Sequence, residues 1–153
     1  MKRLFSLVAL VVVSFVGVNA YAQSGHFVGS VSCKDIGTQV QCTGKVAGLG
    51  STGTFTVLVE AQGTASVECT NPAGNVAPGQ SFTTTAAGSE TQPTPNNGQA
   101  RFNVSTGEPT IPAGACPNNK WTASVVDVTF TTATVTLLEG TTQSDQQVVT
   151  VAP

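Results

Sequence analysis

The run Thr54-Phe55-Thr56-Val57-Leu58-Val59-Glu60 places Phe55, Val57 and Val59 on one side and the residues between them on the other. A period of two marks a strand with one dry face and one wet face. The same alternation recurs at Ala65, Val67 and Cys69, at Ala100, Phe102 and Val104, and at Ala133, Val135 and Leu137. Composition agrees with the pattern. Helix-favouring residues are scarce, and 23 threonines follow the first 22 residues. β-branched side chains lose rotamer freedom in a helix and fit a pleated, half-buried surface.

Turn-forming clusters separate these runs. Gly48 to Gly53 precedes the Phe55 run, and Gln62-Gly63 reads as a tight hairpin between it and the Ala65 run. Asn71 to Asn75, Ala77 to Gln80, Gly88 to Gly98 and Glu108 to Asn119 carry the remaining Pro and Gly, whose backbone angles strands do not hold. Strands are expected near 26–33, 38–47, 54–61, 64–70, 80–87, 99–106, 121–129 and 131–139, with a short one at 147–151. Near Trp121 the phase changes, since Trp121, Ala123 and Val125 give way to Val126, Val128 and Phe130. A bulge at Val125-Val126 or a bend at Asp127 accounts for that. Seven to nine short strands with no intervening helix predict an all-β fold, a single antiparallel β-sandwich, with a closed barrel as the alternative. Phe27, Phe55, Phe82, Phe102, Phe130 and Trp121 are the large residues available to fill it.

The chain has 153 residues and divides at about residue 22. Met1-Lys2-Arg3, an apolar run from Leu4 to Val18 and the small residues of Asn19-Ala20-Tyr21-Ala22 are the three parts of a bacterial-looking secretory signal. Residues 1–22 are therefore read as a cleaved leader and 23–153 as one domain. The apolar run is shorter than the ~20 residues a membrane span requires. Export places the protein in the periplasm or outside the cell and gives its four cysteines a meaning. In an oxidising compartment Cys33, Cys42, Cys69 and Cys116 form two disulfides. Three pairings are possible. Cys33–Cys42 with Cys69–Cys116 is favoured, because Asp35-Ile36-Gly37-Thr38 folds the first pair together and the second pair sits beside loops. Zinc would require closer cysteine pairs or added histidines.

Only 9% of residues are charged. Beyond the leader, four basic residues face eight acidic ones. That excludes a nucleic-acid binder working through a broad basic surface and a polybasic membrane module. Catalytic constellations are hard to assemble. His26 is the only histidine and lies in the first strand, no G-x-S-x-G motif occurs, and the carboxylates are scattered singly at outward strand or loop positions. Such carboxylates read as solubility devices, with Asp127, among apolar neighbours, the one candidate for burial against backbone amides. No run of acids suits calcium. No enzyme activity, cofactor or metal is expected. Asn103-Val104-Ser105 matches a glycosylation sequon inside a strand and is discounted.

The stretches Val67-Glu68-Cys69-Thr70-Asn71-Pro72-Ala73-Gly74-Asn75 and Ala115-Cys116-Pro117-Asn118-Asn119-Lys120-Trp121-Thr122, with the two cysteine pairs, resemble a group of small exported bacterial proteins of uncharacterised function. The resemblance implies an immunoglobulin-like fold and lends no site residues. The expected role is an exported, non-enzymatic structural, adhesive or matrix protein, with self-assembly possible through donation of the strand Gln23 to Val28. The alternative is a secreted binding module for a glycan or protein partner, or an inhibitor. Its surface would be Asn71, Asn75, Asn118, Asn119, Lys120 and Trp121, at the end tied by Cys69–Cys116. A concave apolar patch around Trp121 favours binding; a flat polar one favours assembly.

Overall fold

In the computed structural model, which describes residues 25–50 and 53–153, the alternation seen at Phe55 runs unbroken from Thr54 to Thr70. Phe55, Val57, Val59, Ala61, Ala65, Val67 and Cys69 are all buried. The strands, in chain order, are β1 (His26–Phe27), β2 (Ser32–Asp35), β3 (Val40–Ala47), β4 (Thr54–Thr70), β5 (Val76–Pro78), β6 (Phe82–Pro93), β7 (Ala100–Ser105), β8 (Thr122–Glu139) and β9 (Thr142–Ala152). Every regular element among the described residues is a strand, so the chain is all-β. The expected leader lies outside the described residues.

Two expected boundaries do not exist. Gln62-Gly63 is not a hairpin turn but the middle of β4, and residues 129–131 do not divide β8. The glycine has another use: a Cβ at Gly63 would stand 2.7 Å from the Thr129 carbonyl oxygen. Gly63 is thus required by a close approach of β8 rather than by a turn. At this point β8 carries an extra residue, because Gln62 faces Thr132 while Gly63 faces Phe130, leaving Thr131 unpaired. A second irregularity leaves Val126 between Val125, opposite Val67, and Asp127, opposite Ser66. Of the bulge or bend that the phase change called for, the structure forms the bulge. Each bulge restores the inward phase of β8, so that Val128, Phe130, Ala133, Val135 and Leu137 all enter the core.

The β4–β8 pair is the spine. β6 covers the other edge of β4 from Thr54 to Ala65, with the short, unexpected β5 beyond it. β9 returns along β8 after Gly140-Thr141, starting five residues earlier than the alternation suggested. Likewise β6 extends to Pro93, taking in half of a presumed loop. On the far side β3 pairs with β1, β2 and β7, and β2 joins β9 through the register Cys33–Val151 and Lys34–Ala152. That last ladder is parallel, so the nine-stranded sheet is mixed, not purely antiparallel. β2 and β9 are far apart in sequence, and no hairpin turn constrains their relative direction.

The two ends of this strand order meet. Gly107 donates its backbone N–H to the Ala87 carbonyl at 2.8 Å, and the Asn103 N–H donates to Glu90 Oε2 at 3.2 Å. One apolar core results, including Phe27, Val40, Val46, Phe55, Phe102, Val104, Phe130 and Leu137. The rings of Phe27 and Phe102 meet edge to face at 5.7 Å, a favoured aromatic geometry. A second, small cluster of Val67, Cys69 and Ala115 takes in Trp121, while half-buried Phe82 packs against both. Disulfides join Cys33 to Cys42, directly opposite each other on β2 and β3, and Cys69 to Cys116.

The seam between β6 and β7 depends on Gly88, where a Cβ would lie 2.2 Å from the Ser105 carbonyl oxygen. Gly88→Ala should therefore lower the free energy of unfolding by about 1–3 kcal/mol, as overpacking does. Gly107→Ala, whose Cβ would make only an ordinary 3.6 Å contact with Ala87, should change it by less than about 0.5 kcal/mol. Urea denaturation of the two variants checks the difference.

Candidate functional site

At the end of β4 the chain turns through Asn71-Pro72-Ala73-Gly74-Asn75 into β5. The Asn71 side chain organises this turn, its Oδ1 accepting the backbone N–H groups of Ala73 at 3.0 Å and Asn75 at 2.9 Å. Asn118 plays the same part in the segment before β8, accepting from the Lys120 N–H at 3.0 Å while its carbonyl accepts from Trp121. Asparagine suits such positions because its short carbonyl arm mimics a backbone acceptor. Two of the six residues expected to form a binding surface therefore have side-chain acceptors already turned toward their own backbone.

The long segment between β7 and β8 crosses the end of the sheet. Ala115 is buried and accepts the Gln80 N–H at 2.9 Å, and Cys116 is bonded to Cys69. Beside it lies a groove of about 500 Å³, walled by Ile111 to Asn119 and floored by Trp121 and Ala123. Trp121 is half-buried, packed against the Val67–Cys69–Ala115 cluster as well as lining the groove. The structure thus brings Asn118, Asn119 and Trp121 into one concave site. Asn71, Asn75 and Lys120 are not among its lining residues. Ile111 also lines the groove and was not among the expected residues; its place between Pro109 and Pro112 in a polar loop is the signal the sequence carries.

The carboxylates depart from expectation. Asp127 is exposed, because the bulge at Val126 turns it outward. The buried acid is Glu139, 5% exposed, at the end of β8. Its two oxygens accept the backbone N–H groups of Gly25 at 3.0 Å and Gly50 at 2.9 Å. Asp35 accepts from Gly37 and Phe130, Asp145 from Phe27 and Gln146, and Glu90 from Asn103. Half of the eight acids therefore serve backbone donors rather than solubility alone. They sit where strands approach without a shared ladder, and there a carboxylate supplies an acceptor that the neighbouring strand does not. His26 is exposed on β1, opposite Ala47. Among the described residues no group of three or more His, Cys, Asp or Glu is placed to hold a metal ion.

No protein-family model and no curated protein matches this chain. The site must be read from its own geometry.

Two stability measurements follow. Glu139→Ala strands two backbone donors and should cost about 2–4 kcal/mol, whereas Glu139→Gln keeps one acceptor and should cost less than half of that. Replacing Cys69 and Cys116 together by Ala opens a loop spanning a sequence separation of 47. In the chain-entropy description it should cost about 4 kcal/mol. Urea titrations of both sets, read by circular dichroism, check these values.

Proposed function

We propose that this protein is an exported, non-enzymatic β-sandwich of immunoglobulin-like kind that works by binding a glycan or protein partner. In this reading β1, β2, β3 and β7 form one layer and β4, β5, β6 and β8 the other, with β9 passing between them. The resemblance to small exported bacterial proteins agrees with that architecture. The two disulfides are consistent with an oxidising compartment. Among the described residues no helix is long and apolar enough to cross a membrane.

The observation that carries the reading is the groove beside Trp121. A concave site with an indole floor and amide-bearing rims is the form that ligand sites take, with apolar walls and a few placed polar groups. The Cys69–Cys116 disulfide ties its wall to the sheet, so the wall needs little ordering when a ligand arrives. Assembly by strand donation has weaker support. His26 and Phe27 already pair with Ala47 and Val46 of the same chain, and Phe27 is buried against Phe102. Donating that strand to a neighbour would empty part of its own core.

Trp121 is the only tryptophan, so its fluorescence reports the groove directly. Titration with neutral and charged oligosaccharides and with candidate protein partners should give at least one saturable shift or quench of its emission. Trp121→Phe, which lacks that reporter and is measured by calorimetry, should weaken that ligand roughly tenfold or more while remaining folded. A panel that leaves the emission unchanged, together with filaments or large oligomers in light scattering, would overturn binding in favour of a structural role.

A further inference from the structure

The outward face of β2, β3 and β7 gathers most of the positive charge beyond the expected leader. Lys34, Lys45 and Arg101 are exposed there, leaving only Lys120 of the four cations beyond the expected leader elsewhere. Lys45 and Arg101 stand directly opposite each other in the β3–β7 register. Side chains so paired have Cβ atoms about 4.5–5.5 Å apart, and like charges in that relation repel. A chain this poor in cations gains nothing for its fold by placing two of them together. The pair lines an open groove of about 770 Å³, whose polar surface includes Ser32, Thr43 and Asn103. Glu90 is the one carboxylate among its lining residues, and both its oxygens already accept hydrogen bonds, from Gln92 Nε2 and from the Asn103 N–H.

We propose that this face is a docking surface for a carboxylated polysaccharide, a uronate chain whose carboxylates bridge Lys45 and Arg101. The planar fork of Arg101 matches a carboxylate bidentately, and Lys45 adds a second charge of the same sign. Ser32 and Thr43 lie on the same face as hydroxyl partners for the sugar ring, with Asn103 adding an amide. Lys34 lies beside Gln41, four residues along β3 from Lys45, or about 14 Å of strand, so a chain following the face meets a third cation. Nucleic acid is disfavoured, because the only aromatic residue lining the groove, Phe102, is buried and cannot stack a base. A membrane surface would ask for a denser cluster, of four or more cations. This inference does not rest on the Trp121 groove, which shares no lining residue with it.

The test uses the full secreted protein with three probes: sodium oligogalacturonate in chelator, dextran sulfate and neutral dextran, with affinities measured by calorimetry. Oligogalacturonate should bind, more weakly as salt is raised, and neutral dextran should not. The double variant K45Q/R101Q should lose at least tenfold in affinity with an unfolding midpoint no lower than that of the wild type, because it removes a like-charge cross-strand pair, whereas K120Q should change the affinity less than twofold. Trp121 emission should stay constant throughout. The proposal is overturned if wild-type protein fails to bind oligogalacturonate, if dextran sulfate binds more tightly, or if K120Q loses as much as the double variant. Quenching of Trp121 by oligogalacturonate that persists in K45Q/R101Q would assign the ligand to the other groove and overturn the proposal equally.

Discussion

Pairing of β4 with β8 along almost their whole lengths sets the positions of every other strand. Two strands of 17 and 18 residues cannot stay in phase by alternation alone, since a twisted pair accumulates mismatch. The bulges at Thr131 and Val126 absorb it, each inserting one residue so that the next apolar side chain points inward again. β6 then lines β4, β9 lines β8, and the remaining strands close over the face that this spine presents. A slip of one residue would expose Val57, Val59, Val135 and Leu137 together.

Ladder hydrogen bonds do not suffice where the sheet changes neighbours, and the sparse acids complete the satisfaction of the backbone. Glu139 holds the entry to β1 and the loop after β3 through Gly25 and Gly50, while Asp145 receives the Phe27 N–H. Gln147 works in the same region, accepting from the Val31 N–H and donating to the Gly29 carbonyl. Together these side chains stitch the segment holding β1 and β2 to β9, along a line where only Cys33 and Lys34 pair in a ladder. A carboxylate committed in this way is poorly disposed for acid–base chemistry. Four of the eight acids, Asp35, Glu90, Glu139 and Asp145, have a main-chain task of this kind.

Two grooves with no lining residue in common differ in chemistry. The one at Trp121 is walled by a disulfide-tethered loop and is mainly apolar, with amide groups at the rim. The one over β3 and β7 is open, hydroxylated and cationic. Both are built on strands or on segments tied to them.

The all-β class, the inward residues of most strands, the disulfide-bearing cysteines and an irregularity near Val126 were legible in the amino-acid order. All of these depend on local alternation, turn chemistry or composition. It misplaced the hairpin at Gly63, because a glycine between two alternating runs looks the same whether it turns the chain or admits a neighbour's carbonyl. It expected Asp127 to be buried, although the bulge at Val126 turns that residue outward, and passed over Glu139, which continues the inward phase of Ala133, Val135 and Leu137. Which acids cap which amides, that β2 runs parallel to β9, and that Lys45 faces Arg101 were decided only by the tertiary structure. Each depends on residues tens of positions apart, brought into register by the packing of one shared core.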